Sequence, residues 1–379
     1  MPNVFQNSSI VARDAAIELH GNLKAAGVMP GKHEQQFAQK VGQTINVKCR
    51  PVMSAGRHTG SGAFNTSDIT ESLVPVSIAH RAYIKHRLTA QEKTFNMDDF
   101  ALQVTRPAML ALAQDIDLFL VHGVLAPGFA RNMAGTDGVS PSTLAHLAAA
   151  WKILFDNKAT NGMCTGLINS TAAAAFLQLT QLISKDYGDA RTQALAQALF
   201  SPVYGMDIYP VQSAAVLDRG DIAGVVTISG QTVVGASTIS LKAFTAAAGT
   251  VKVGTRFTVA GNTTVYTVVA DAVIAGNAAV VSVVPVVAAQ SGNDAAIAVK
   301  AAAQENVIFN PDATAKVLIA PEPQVSNPSS VGVFEGISIR TTFESTINDA
   351  TSGDAEFVLF DVFVGGSVLV PQGGVLLQG

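Results

Sequence analysis

The sequence predicts an α+β protein in which an all-β module interrupts a mixed helix-and-strand domain. Three observations carry this. Residues 72–95 alternate apolar and polar side chains more regularly than any other stretch. Residues 98–125 repeat apolar positions at helical spacing. Residues 223–303 hold only short β-branched runs cut by Gly and Asn, with six charged side chains in the whole segment. At 379 residues the chain has material for two or three domains of roughly 150 residues each.

The elements follow in order. In SIVARDAAIELHGNLKAA (9–26), Ile10, Ala15, Ile17 and Leu23 fall near helical spacing behind a Ser8 or Ser9 cap, and Gly27 and Pro30 end the helix. Thr44 to Arg57 reads as strand, and RHTGSGAFNTSD as an exposed loop tip. Along SLVPVSIAHRAYIKHRLTAQEKTF (72–95), Val74, Val76, Ile78, His80, Ala82, Ile84, His86 and Leu88 share one face. Ser77, Ala79, Arg81, Tyr83, Lys85 and Arg87 share the other. The two strands and their tip form a long ribbon, which is marginal unless it lies on something. Asp98 and Asp99 start a long helix, where acids favour the macrodipole. Leu102, Leu110, Ala113, Ile116, Leu120 and Val124 mark its apolar side, and Pro107 either kinks it or opens its main segment.

Residues 142–158 form another helix. MCTGLINSTAAAAF reads as a strand entering a helix capped at Asn169 or Ser170 and running to about Ser184, with a further helix at 189–200. After the β module, which reads as a small barrel or sandwich, ENVIFNPDATAKVLIAP restores mixed character and 332–371 supplies strands around the turn NDATSGD. The domain plan is an arm (1–40), a ribbon (41–95), a long helix with the first part of the core (96–222), the β module (223–304) and the second part of the core (305–379).

Only 14% of residues are charged, against ~25% in an average globular chain. Such a chain must cover its surface with small uncharged residues or bury it against partners. The net charge of −4 gives no basic-patch signature for nucleic acid. The charge is uneven: residues 1–60 hold seven Lys/Arg against three acids, and residues 305–379 nine acids against two bases. Cys49 and Cys164 make no disulfide framework and no CxxC pair, which fits a reducing compartment. The start of the chain lacks a secretory pattern, and no uninterrupted apolar stretch reaches the ~18 residues of a membrane span. A soluble, cytoplasmically made protein with no membrane partner is expected.

No catalytic or metal-binding constellation stands out. His80 and His86 share a strand face but lie ~20 Å apart, beyond shared coordination. The other histidines show no HxH or HxxxH spacing, and GxSxG, Walker and GxGxxG patterns are absent. Gly60-Ser61-Gly62 has no helix after it. Asp115 and Asp117 project roughly 200° apart on their helix and cannot act as a carboxylate pair. A non-enzymatic protein without cofactor or metal is expected. The stripe Arg81, Lys85 and Arg87 reads as a solvated edge that resists aggregation, or as a contact with acids of a neighbouring subunit that also buries the ribbon's apolar face. Nucleic acid is a third partner for it. Lys252 and Arg256, four apart on one strand, would project from a single face.

In this order of elements the sequence resembles the major capsid proteins of tailed double-stranded DNA phages, with the Hong Kong 97-type fold. VPVSIAHRAYIKHRLTAQEKTFNMDDFALQVTRPAMLALAQDIDLFLV (74–121) is similar to the family's E-loop strand running into its spine helix. ENVIFNPDATAKVLIAPEP (305–323) and SGDAEFVLFDVFVGGSVLVP (352–371) carry the rest of the likeness. The module containing VKVGTRFTVAGN looks like the inserted β-barrel domain of Salmonella podovirus-type coat proteins, shorter and less charged than in the type member. No Lys/Asn pair can be assigned to the cross-linking found in some relatives.

The resemblance implies an N-terminal arm, an E-loop ribbon, a spine helix, peripheral and axial domains and an inserted barrel. It implies self-assembly, as hexamers and pentamers, of an icosahedral shell around packaged DNA. Scaffolding protein, portal protein and non-specifically contacted DNA are the implied partners. The implied location is the virion, after assembly in the host cytoplasm. Candidate interface residues are Arg81, Tyr83, Lys85, Arg87, Asp98 and Asp99, with Lys252 and Arg256 as candidate contacts of the inserted domain. A cellular nanocompartment shell protein shares the fold, but the β module counts against it. A β-rich adhesin or carbohydrate-binding protein would need the secretion signal that is missing.

Overall fold

The computed structural model describes residues 7–38, 42–49, 71, 73–89, 100–136, 138–159, 162–179, 203–212, 219–262, 264–300, 305–324, 327–349 and 353–379. Its helices are α1 (Asn7–Asn22), α2 (Ala25–Val28), α3 (Glu34–Ala38), α4 (Ala101–Phe129), α5 (Leu144–Asp156) and α6 (Ser170–Leu177). Strands β1 (Thr44–Lys48), β2 (Leu73–Thr89), β3 (Met133–Ala134), β4 (Cys164–Ile168) and β5 (Met206–Pro210) precede the module. The module contains β6 (Thr227–Ile228), β7 (Thr238–Lys242), β8 (Ala248–Val251), β9 (Arg256–Val259), β10 (Val265–Val268), β11 (Ala272–Ala275), β12 (Ala278–Val284) and β13 (Ile297–Val299). After it come β14 (Val307–Phe309), β15 (Thr314–Ile319), β16 (Ser329–Phe334), β17 (Ile337–Asp349), β18 (Gly353–Val368) and β19 (Gly374–Leu377).

Helix α4 is the axis on which the first core forms. Its buried side is Met109, Leu112, Ile116, Leu120 and Phe129; Leu102 and Leu110, expected there, face outward. Pro107 lacks an N–H and crowds the preceding turn. A wide π turn over Ala101–Thr105 precedes it, so Pro107 opens the α-helical segment Arg106–Leu118 instead of interrupting it. By length and composition α4 could cross a bilayer, yet it is the central helix of this core.

A twisted antiparallel sheet, ordered β1-β2-β18-β17-β16 with β15 on the far half of β18, lies on α4. The alternation expected along β2 is present. Val76 and Ala82 are buried on the inner face, and the His80 ring meets Phe119 edge-on at 4.5 Å between centroids. Along β2 the apolar face thus packs against α4 and the core of its own chain. Where the β2–β18 register shifts, a Cβ on Gly365 would collide with the Ser77 carbonyl, so only glycine fits. Helix α1 crosses β16 and β17, burying Ala12, Ala15, Ala16 and Leu19 while Ile10 and Ile17 stay outward.

The second sheet runs β3-β19-β14-β4-β5 and carries α5 and α6 on a core of its own. The Asn169 side chain caps α6 as expected, accepting from the Ala172 N–H at 2.8 Å. Helix α6 ends at Leu177, short of Ser184. The loop tip at 57–68 and the helix expected at 189–200 lie outside the described residues.

The chain leaves this sheet after β5 and returns to it at β14; between them it builds an antiparallel barrel. Strands pair in the order β6-β7-β12-β10-β9-β13, and hydrogen bonds between 226–228 and 295–297 join β13 back to β6. The hairpin-like pair β8–β11 extends from β12. Phe257, Tyr266, Val268, Val281 and Ile239 fill the interior. Closure removes the open edges that such valine-rich strands would otherwise expose.

One buried ion pair ties barrel to core. Arg256 of β9 and Glu305, just before β14, are both 0% exposed and meet at 2.9 Å. The second Glu305 oxygen accepts from Gln378 Nε2 at 2.7 Å. Removing one member of such a pair leaves a desolvated charge. Glu305→Ala is therefore expected to lower the unfolding free energy by about 3–5 kcal/mol in urea denaturation, and the double change Arg256→Met with Glu305→Leu to cost much less.

Candidate assembly interface

The outer face of the first sheet carries the cationic stripe. Strand register places Val331, Arg340, Asp361 and Tyr83 in one row across β16, β17, β18 and β2. Asp361 is fully buried. Arg340 grips it with two bonds, Nε at 2.9 Å and Nη2 at 2.7 Å, and donates Nη1 to the Glu322 carbonyl at 2.7 Å. Arg81 Nη2 reaches the same carboxylate from the other side. Lys85 pairs with Glu344 at 3.0 Å and lies 4.5 Å from the centre of the Phe357 ring, a cation–π distance.

These contacts alter the reading of the stripe. The acids that Arg81 and Lys85 meet here belong to their own chain, on strands that alternation along β2 gives no means of naming. Tyr83 is different: its side chain is 64% exposed. Arg87 stands at the exposed end of the same face, opposite Phe357. Asp98 and Asp99 lie outside the described residues. Arg256 cannot be a surface contact, because it is buried against Glu305. Lys252 and Arg256 also do not share a strand. Gly254, at φ +83°, turns the chain between β8 and β9, and this breaks the two-residue period. Lys252 pairs with Asp271 at 3.0 Å on the module's surface.

The arm is fastened by charged groups that spacing alone did not single out. Asp117 of α4 accepts from the N–H groups of Lys24, Ala25 and Ala26 at 2.8, 3.1 and 3.3 Å, holding the start of α2. Its position was a readable signal, since it shares the buried side of α4 with Ala113, Leu120 and Val121. The open edge of β15 is closed by the arm: Lys316 N–H donates to the Pro30 carbonyl at 3.2 Å, and Leu318 N–H to Glu34 Oε1 at 3.2 Å. Lys316 Nζ donates to the Ala26 carbonyl. Burial raises the Asp117 carboxyl, against the pull of those three N–H groups. Burial also raises Glu34 to about 7, opposed by the Lys316 charge and the Leu318 N–H, and pushes Lys316 down.

A cleft of about 380 Å³ opens beside the arm, lined by Lys32, His33, Lys48, Cys49, Lys158 and Asp312 among others. Cys49 donates its thiol hydrogen to the Leu369 carbonyl at 3.3 Å, so it is not set up as a nucleophile beside His33. The described residues contain no group of three or more His, Cys, Asp or Glu able to hold a metal.

Among solved structures the fold is similar to a chain of Mycobacterium phage Che8, with a TM-score of 0.50 at 14% identity over 93% of this chain and 90% of that one. Weaker likenesses include the capsid structure of cyanophage P-SCSP1u (TM-score 0.43, 13% identity, 89% and 83% covered). Another is the virus-like particle from Pyrococcus furiosus (TM-score 0.44, 11% identity, 98% and 100% covered). No family model and no curated protein matches the sequence. The α+β fold expected from the order of elements is the fold observed, and it is shared with the phage Che8 chain.

The arm's clamp sets a pH dependence. Glu34 has a folded pKa of about 7, above its ordinary 4.5. Its contribution is complete below pH 4.5 and is lost as pH rises through 7. Asp117 acts in the same sense; Lys316 acts in the opposite one, gaining as pH rises toward 10.5. Hydrogen-exchange protection of residues 24–38 should therefore fall between about pH 5 and about pH 8. In Glu34→Gln, which keeps an acceptor for Leu318, that fall should be visibly smaller.

Proposed function

We propose that this chain is the major capsid protein of a tailed phage, assembling as hexamers and pentamers into an icosahedral shell around double-stranded DNA. The observation that supports it most is the likeness of fold to the phage Che8 chain, which runs through about nine-tenths of both chains. The physics is compatible. A subunit with 14% charged residues suits repeated close packing, in which each weak contact recurs around the shell. The barrel then corresponds to the inserted domain of the Salmonella podovirus-type coat proteins, and the division into arm, ribbon, core and module to the domains of that fold.

Scaffolding and portal proteins are the proposed partners in assembly, in the host cytoplasm, with the virion as destination. Contact with the genome is non-specific, since the sequence carries no visible base-reading element. No catalytic step is assigned to the chain. On the first sheet, Tyr83 and Arg87 are the proposed contacts with a neighbouring subunit. Arg81 and Lys85 support them by holding β2 in register, and Asp98, Asp99 and Lys252 remain proposed contacts.

Negative-stain microscopy of the purified protein, alone and co-expressed with its scaffold, tests the reading; a strictly monomeric product under both conditions overturns it. Tyr83→Ser combined with Arg87→Glu should leave a folded subunit and reduce particle yield at least about ten-fold, an interface anchor being worth ~2 kcal/mol or more. Arg81→Glu should behave otherwise. It strips one charge-assisted bond from Asp361, and thermal unfolding should show a loss of about 1.5–3 kcal/mol before assembly is tested.

A further inference from the structure

Helix α5 carries the chain's only tryptophan, and carries it on the outside. Leu147, Ala150 and Leu154 turn inward onto the second sheet. On the outer flank Trp151 and Phe155 stack on each other, ring centroids 5.1 Å apart and planes 23° apart. They remain 38% and 57% exposed. Next to them Lys152 and Asp156 face solvent as a 3.1 Å pair one helical turn apart.

The subunit gains little from this arrangement. An exposed ion pair of this spacing contributes little to stability, and stacked rings left in water are apolar surface without a partner. Tryptophan is among the residues most enriched as anchors of protein interfaces. The charges indicate which partner fits. A nucleic-acid backbone drawn to Lys152 would be repelled by Asp156, and a strongly acidic or basic partner would meet the same conflict. A second copy meets no such conflict. Rotated by two-fold symmetry, it sets ring against ring, cation against anion and anion against cation, which is the self-complementarity an isologous contact requires.

We propose that the Trp151–Phe155 ridge of α5 is a contact between two copies of this chain, with Lys152 of each copy paired to Asp156 of the other. The proposal rests on the capsid reading and names one of its interfaces.

Because Trp151 is the sole tryptophan, its emission reports this site alone. Acrylamide quenching and the emission maximum are compared for unassembled subunits and for particles separated by sedimentation. The expected result is a blue-shifted emission and a several-fold lower quenching constant in the particles. Lys152→Asp, which gives each ridge two acids, should reduce assembly at least about ten-fold while circular dichroism stays native, and the swap Lys152→Asp with Asp156→Lys should restore it. Particles whose Trp151 is as quenchable as in free subunits overturn the inference and leave the capsid reading intact. Normal assembly of the Lys152→Asp variant overturns the charge pairing. Protection of Trp151 in free subunits on adding double-stranded DNA assigns the ridge to nucleic acid and overturns it too. If no particles form under any condition, the capsid reading falls, and this inference with it.

Discussion

Asp361 is a carboxylate with no exposed surface, on a sheet face that otherwise meets water, and it is held from both sides by guanidinium groups. A desolvated charge costs several kcal/mol unless it is paired and hydrogen-bonded. Here the compensation comes from the two strands that flank its own. Arg340 belongs to β17, Asp361 to β18 and Arg81 to β2, so the charge is satisfied in one register only. A slip of one residue would turn Arg81 toward the core and Ala82 outward. The ribbon's course along the sheet, the seat of its inner face on α4 and the direction in which Tyr83 points all follow from that register.

The groups that fasten the arm work on the same rule in a different medium. Backbone N–H groups of α2, the bare edge of β15 and one ammonium group are satisfied by Asp117, Glu34 and two backbone carbonyls. These are polar groups that could not be buried alone. Sheet and arm therefore close over α4 by the same means: apolar packing supplies the area, and a few desolvated charges select the geometry. The second sheet and the barrel use charge more sparingly, with Arg256 and Glu305 at the point where the two meet.

Local periodicity made much of this legible. The two-residue alternation of β2, the capped start of α6 and the valine-rich module are properties of neighbouring residues, and they survive folding because packing agrees with them. Pairings between distant segments were not legible. Arg81 and Asp361 lie 280 residues apart, and nothing in the spacing of either points to the other. Arg256 shows the limit most clearly. In the linear pattern it looked like a surface cation, since charged residues are rarely buried; a turn at Gly254 and an acid beyond the end of the module reversed its environment. Asp117 was the opposite case, an acid on an apolar helix face whose misfit with its neighbours was already a signal. For the interface residues, exposure separates Tyr83 from Arg81, and that distinction depends on strands contributed by the far end of the chain.

The barrel leaves the second sheet from β5 and rejoins it at β14, and both strands flank β4. Its two attachment points therefore stand only about 10 Å apart, two strand spacings. A detour with such closely spaced ends can be gained, lost or exchanged during evolution without displacing the sheet that carries it. Glu305 sets the condition on that freedom. A shortened descendant that dropped the module would keep a buried acid stripped of its cation, so the deletion and a neutralising change at position 305 would have to be inherited together.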